Sequence, residues 1–430
     1  MELGNQSAFV SARAKENRPF PPSRARQVGV FVSVLLVAVA LVGALSVLTN
    51  RMPARWDEVF YIDMAKNGFS NNPRLTTPFA YRAAIPLVVG TVSRLLHTDP
   101  EATFHAAAHV AGVLILVLAY YWTRAFGGSE LAGWCGVFAL GLNYEVVRYP
   151  LFNGGMLDIY GYLFVLMATW GVLRKKFYPV LIFCAMGLFV KEFLIVPLLA
   201  QAAVLVVETP RERWRSLIVP LGLTGFAIAF YLVFTRTMIH VSDSLQHIDP
   251  QRPETLRYLL THPISPLRWF NIIYSTLSFW LPVVLLMTRE RWQVVRETLR
   301  PYRRIITAFA LFQLLLIMYG GNNISIFVGY SLGIELLVLL TLVDRGHARA
   351  WELVLIFAIL VVFNRIGAHI PTYEEGRWDD LLDFYGAFGT EIRARSVLRF
   401  FEIWAYVGAF YVIRRFTGAA PSRQTVEFAR

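Results

Sequence analysis

The sequence predicts an all-α protein: a polytopic membrane bundle of about twelve transmembrane helices. Three observations predict it. Of the 430 residues, 56% are hydrophobic and only 16% are charged, whereas soluble globular chains are nearer a quarter charged. Apolar stretches close to the ~20 residues needed to cross hydrocarbon recur from one end to the other. The basic residues also fall unevenly between the two sets of loops that alternating spans would separate.

The first apolar stretch, 28–49, follows a basic arm, 1–27. It does not read as a cleavable signal, because ~22 apolar residues exceed a signal core and no small-residue cleavage site follows. Stretches at 103–123, 130–147 and 155–173 come next. The two after them, 178–190 and 192–207, are too short to cross upright as separate ideal helices and predict a tight hairpin over 178–207. Spans at 216–238, 267–288, 305–321, 326–343, 351–370 and 399–416 complete a single transmembrane domain, 28–416, before a tail at 417–430.

Placing the N-terminus in the cytoplasm puts 24 Lys and Arg in the inner segments and 14 in the outer ones. That bias matches the positive-inside rule, and an even number of spans places both termini inside. Topology therefore accounts for most of the formal charge of +12. The basic residues are scattered through short loops without a recognition motif, so no nucleic-acid partner is expected. Cys135 and Cys184 both lie in apolar runs, which excludes a disulfide framework and a cysteine-based zinc site. The inner connections are a few residues long, whereas the outer ones, 50–102, 239–266 and 371–398, are long and mixed in charge. Long ordered loops commonly carry function, so the outer face is the expected working face.

The first outer loop opens with Arg55-Trp56-Asp57-Glu58-Val59-Phe60-Tyr61-Ile62-Asp63-Met64-Ala65-Lys66-Asn67-Gly68-Phe69. Trp56, Phe60, Ile62, Met64 and Phe69 suggest the apolar face of a short interfacial helix, ended by Asn67-Gly68. Two adjacent carboxylates, Asp57 and Glu58, stand at its start. Capping of the first turn is the plain explanation; chemistry just outside the membrane is the other.

These residues resemble a specific pattern. Trp-Asp-x-x-(aromatic)-Tyr-Ile-x-(Met/Ile)-Ala-x-x-Gly-(aromatic), directly after a first transmembrane helix, resembles the start of the mannosyltransferases that add the second mannose of GPI anchors, and of their bacterial relatives. The Asp57-Glu58 pair is also similar to the acidic pair of protein O-mannosyltransferases and of lipid A aminoarabinose transferases. All belong to the GT-C superfamily of polytopic glycosyltransferases. The Pro-Phe-Ala-Tyr-Arg-Ala-Ala-Ile-Pro stretch at 78–86, Lys191-Glu192 at a hairpin tip, and the many spans with long outer loops fit the same pattern. The GPI enzymes continue with a Phe-Phe-Pro-Leu-Tyr-Pro type segment, whereas this chain has Tyr81-Arg82-Ala83-Ala84-Ile85-Pro86. Sugar and acceptor are therefore not carried over.

The resemblance implies a GT-C type bundle, and the high ratio of Arg to Lys suggests a GC-rich bacterial genome, hence a bacterial cytoplasmic (inner) membrane. It implies transfer of a sugar, mannose-like or other, from a polyprenyl-phosphate donor to a glycan, lipid or protein acceptor, with inversion. Such a single displacement needs one base, for which Asp57 is the candidate. Glu58 lies on a different side of a helix and suits capping or a metal contact. Either cationic side chains or a divalent cation, Mg2+ or Mn2+, would serve the leaving group; the metal is unknown, with Asp57 and Glu58 as its candidate ligands if there is one.

Other residues compete with structural explanations. Lys191 and Glu192 interrupt an apolar stretch, where charge is expensive; Lys191 could hold a donor phosphate, or the two could pair at the hairpin tip. Arg82 is either a second phosphate ligand or an interfacial anchor. Asp158 follows Asn153-Gly154-Gly155 and either caps the fourth span or contacts substrate. Arg365 and His369, spaced i and i+4, would share one helix face and contact a lipid phosphate. Glu335, deep in the tenth span, calls for a structural partner or a proton. His105 and His109 lack the glutamate of a zinc-protease motif. The rival functions are a transporter or flippase of lipid-linked substrates, and a non-catalytic membrane scaffold.

Overall fold

The structure is a computed structural model that describes residues 24–51, 57–69, 79–241, 265–319, 324–371 and 394–417. All regular structure among the described residues is helical. The first group of helices comprises α1 (Arg24–Leu48), α2 (Asp57–Asn67), α3 (Ala84–Leu96), α4 (Pro100–Ala125), α5 (Glu130–Gly141) and the single turn α6 (Tyr149–Phe152). Next come α7 (Asp158–Leu173), α8 (Phe177–Leu188), α9 (Ile195–Glu208) and α10 (Ile218–Val241). The remainder are α11 (Pro266–Phe279), α12 (Leu281–Leu286), α13 (Arg289–Leu299), α14 (Arg303–Tyr319), α15 (Ile324–Gly329), α16 (Leu332–Asp344), α17 (Ala350–Phe363) and α18 (Ala394–Phe416).

Among the described residues, five helical segments are long and apolar enough to cross a membrane: Arg24–Leu48, Pro100–Ala125, Arg211–Thr237, Arg289–Tyr319 and Arg395–Phe416. Shorter apolar helices include Ala84–Leu96, Glu130–Gly141, Asp158–Leu173, Phe177–Leu188 and Ala350–Phe363. Each of the twelve apolar stretches is helical wholly or in part, but three are interrupted: 130–147 at Leu142–Asn143, 267–288 at Trp280 and 326–343 at Tyr330–Ser331. Local chemistry explains the first two. Asn143 turns its side chain onto the Glu145 amide at 3.0 Å and starts a π turn, Tyr144–Arg148. Pro282 lacks the donor that a continuous helix through Trp280 would need.

The core is built around α16, where every residue from Leu332 to Val343 is buried. A helix apolar on all sides belongs inside a bundle. It packs on α5 and α7, and α4 packs on α1, α5 and α7. Asp99 caps α4 through the Glu101 and Ala102 amides, and Ser129 caps α5 through the Ala132 amide.

The helix after α1 ends as its sequence predicts: Gly68 has φ 76° and its amide donates to the Met64 carbonyl at 2.9 Å. Its packing differs from the interfacial expectation. Its buried residues are Glu58, Tyr61, Ile62, Met64 and Ala65, and it packs against α3 and α4. Phe60 and Phe69 are half-buried, and Trp56 lies outside the described residues. Close approach to α3 requires Gly90, where an added Cβ would sit 2.4 Å from the Ala65 carbonyl oxygen. The amphipathic member of this region is α3, which exposes Leu87, Val88, Leu95 and Leu96 while burying Pro86, Val89 and Gly90.

Candidate functional site

The site is assembled from four stretches far apart in sequence. The first turn of α2 supplies Asp57. A 3-10 turn, Phe79–Tyr81, leads into Arg82, just ahead of α3. The first residue of α7 is Asp158. The tip between α8 and α9 supplies Lys191 and, in its 3-10 turn, Glu192. The tip is tied to α3 by the Ala84 amide, which donates to the Phe189 carbonyl at 3.0 Å.

Two ion pairs lie side by side. Lys191 Nζ donates to Asp158 Oδ1 at 2.5 Å, and both residues are buried. Arg82 makes a fork to Glu192, with Nε to Oε2 at 3.0 Å and Nη2 to Oε1 at 2.6 Å. The third arm of the guanidinium donates to the Tyr61 hydroxyl at 2.9 Å. Burial opposes the Arg82 charge, but Tyr61 and Glu192 outweigh it and hold its pKa above the ordinary value. Burial likewise raises the Tyr61 phenol, with Arg82 opposing.

Asp57 is different. Among the described residues its carboxylate has no side-chain hydrogen bond and no ion pair, yet it lies within electrostatic reach of Lys191, Arg82 and Asp158. Burial raises its pKa above the ordinary 3.8; Lys191 and Arg82 pull it back, and Asp158 adds to the rise. A desolvated carboxyl faced by two fixed cations is an environment that active sites use to tune a base. Further buried acceptors and donors nearby lack partners among the described residues: Asp158 Oδ2, both side-chain atoms of Asn153, and the Tyr330 hydroxyl. Buried polar atoms are ordinarily satisfied, so such a group marks a place for water or ligand.

Of the eight sequence-derived site residues, Asp57, Arg82, Asp158, Lys191 and Glu192 converge here. Glu58 faces away from them. It is fully buried, and Oε1 accepts the Gly155 amide at 2.8 Å. The fit is close: a Cβ on Gly155 would lie 2.1 Å from Glu58 Cγ. Glu58 thus braces the 153–157 turn ahead of Asp158. Asp57 and Glu58 do not converge on a common point, and no group of three or more His, Cys, Asp or Glu among the described residues is arranged to hold a metal ion. Among the described residues, Asp57 and Glu58 do not make up the donor set of a divalent cation.

The pairing within the hairpin tip also differs from expectation. Lys191 and Glu192 do not pair with each other; consecutive residues on this turn point apart, and each finds a partner on another element. Arg365 and His369 do not share a helix face, because α17 ends at Phe363 and Arg365 adopts φ 51°. Arg365 lies near Arg399, Glu402 and Tyr274, and His369 is exposed. Glu335 is buried and its Oε2 finds no partner among the described residues. His109 bonds Ser46 and the His105 carbonyl, and so is not a metal ligand.

Tyr61 is a site residue that sequence reading passed over, although its i+4 spacing from Asp57 places both on one face of α2. Tyr149 is another: it is buried within reach of Asp158, Glu145 and Asp57, and no spacing rule flagged it. Beside the site, α3, α4 and α7 enclose an apolar groove of about 480 Å³ whose lining includes Val88, Leu96, Val110, Leu114 and Tyr160. Two of its three walls begin at the charged cluster, since α3 follows Arg82 and α7 starts at Asp158. Comparison of the chain with protein-family models, with curated proteins and with solved structures finds no match in any of the three.

Proposed function

We propose that the chain is a membrane glycosyltransferase of GT-C type, moving a sugar from a polyprenyl-phosphate donor to an acceptor hydroxyl at the outer face of a bacterial cytoplasmic membrane, with twelve spans and both termini inside. The observation that carries this reading is the desolvated Asp57 carboxyl, which among the described residues has no side-chain hydrogen bond or ion pair and lies within electrostatic reach of Lys191 and Arg82. Asp57 accepts the proton of the acceptor hydroxyl as its oxygen attacks the anomeric carbon. The bond from that carbon to the phosphate oxygen breaks, inverting the centre, and the electron pair leaves with the lipid phosphate. Lys191 and Arg82, held rigid by Asp158, Glu192 and Tyr61, face the charge that grows on the leaving group without reorganising. The apolar groove beside them suits a hydrocarbon chain, each buried methylene contributing ~0.8 kcal/mol.

Asp57→Asn keeps size and polarity while removing the base. It should reduce turnover of a synthetic polyprenyl-phosphate sugar by ~10²–10⁴, with donor binding retained. Near wild-type turnover in the purified variant would eliminate Asp57 as the base.

One observation favours the transport reading: three interrupted apolar helices meet inside the bundle, as discontinuous helices do around transporter sites. Under that reading, purified protein in liposomes moves a lipid-linked sugar across the bilayer without cleaving it.

A further inference from the structure

Two of the three interruptions, at Leu142–Asn143 and at Trp280, adjoin a second polar centre, distinct from the Asp57 site. A cavity of about 30 Å³ is lined by Glu145, Ser275, Ser278, Ser325, Asn364 and Arg399, among others. Three helices deliver their C-terminal ends to it: α5, which stops at Gly141 before the π turn, α11, which stops at Phe279, and α17, which stops at Phe363. Each end carries a partial negative charge. Single π turns inside helices are uncommon and often mark functional positions; this one aims Glu145 into the cavity. Glu145 Oε1 accepts the Ser325 hydroxyl at 2.7 Å. Among the described residues its Oε2 is buried without a hydrogen-bond partner, and so is the hydroxyl of Ser275, which is 1% exposed. One other charged group lines the cavity. Arg399 donates from Nη2 to the Phe363 carbonyl at 2.5 Å, places Nε 3.9 Å from Glu402 and stacks over the Phe363 ring. Arg148, on the same π turn, turns its guanidinium to Thr49 and to the carbonyls of Asn364, Arg365 and Ala368.

We propose that this cavity binds one alkali-metal cation, with Glu145 and the serine hydroxyls as ligands. Size narrows the class: this volume holds a few water-sized groups, too little for a sugar. Hard oxygen donors with a single carboxylate suit a monovalent ion, whereas a divalent one commonly draws on more carboxylates. Carbonyl-rich ends of interrupted helices hold sodium in the same way elsewhere in membrane proteins. The site does not depend on the transferase reading.

The test is the melting temperature of the purified full-length protein titrated with NaCl, KCl or LiCl, with choline chloride keeping ionic strength constant. A ligand that binds only the folded state raises stability with its concentration. One alkali cation should raise the melting temperature saturably by several degrees, and choline should not. Glu145→Gln should weaken the half-saturating concentration by about tenfold or more. Ser275→Ala is the second variant should Glu145→Gln fail to fold, and it should weaken the same response. Equal responses to all four salts, a response that follows pH and not cation identity, or an undiminished sodium response in both variants would each overturn the proposal.

Discussion

Asp57 and its neighbours show how one carboxyl becomes reactive while others become scaffold. Asp158 and Glu192 are each matched to a cation, and Glu58 to a backbone amide. Asp57 receives burial without a side-chain hydrogen bond or ion pair among the described residues, and burial raises its pKa above 3.8. The sign has two consequences. The ionised base is lost on acidification through a pH above that ordinary value, so transfer should fall there. A carboxyl whose folded-state pKa is raised contributes stability that is complete below the unfolded pKa and lost as pH rises through the folded one. At pH 7 the ionised Asp57 therefore costs stability, and Asp57→Asn should melt higher than the wild type at pH 7, with the difference shrinking near pH 4. A lower melting point for the variant at pH 7 would make Asp57 a structural brace.

At the scale of the element, the hairpin tip between α8 and α9 is the device that fixes the cations. Its Lys191 reaches α7 and its Glu192 reaches the turn before α3, so two consecutive residues join three elements. Breaking a buried pair by removing one partner leaves an unpaired buried charge and costs about 3–5 kcal/mol. Lys191→Met should be destabilised on that scale, and adding Asp158→Leu should recover most of the loss. Adding Glu192→Met to Lys191→Met should recover nothing. Denaturant unfolding of these variants measures it, and strict additivity of Lys191→Met with Asp158→Leu would show the pair to be energetically idle. Loss of transfer in a double variant of restored stability would then isolate the chemical contribution of Lys191.

For the whole molecule, the decisive quantity is orientation. In the proposed orientation, drawn from the basic bias of 24 to 14, the Arg-rich segment around α13 lies inside and the α3–α4 turn outside. His97 and Gln293 are both exposed positions, whereas Cys135 and Cys184 are buried and should label weakly. In intact cells a membrane-impermeant thiol reagent should modify His97→Cys and spare Gln293→Cys until the membrane is opened. The reverse pattern would invert the topology and move the Asp57 site to the cytoplasm.

The sequence by itself determined the helical, apolar character of this protein and most of the candidate residues. Both follow from local rules: the length of apolar runs, the cost of a charge inside them, and the stop signal at Asn67-Gly68. Lys191 and Glu192 stood out because they lay where charge is expensive, Asp57 through the motif of the first outer loop, and Arg82 and Asp158 through their place ahead of apolar stretches; all are properties of position along the chain. Only the tertiary structure decided who pairs with whom. Lys191 meets Asp158 and Arg82 meets Glu192 because helices distant in sequence pack together, and no spacing rule encodes those distances. Arg365 and His369 parted for a related reason: a regular i, i+4 pattern presumes a continuing helix, and α17 ends before both. The interruptions at Asn143, Trp280 and Tyr330 were equally hidden. A helix break deep in an apolar stretch survives where neighbouring elements satisfy or enclose its freed backbone groups, and that condition belongs to the assembled bundle.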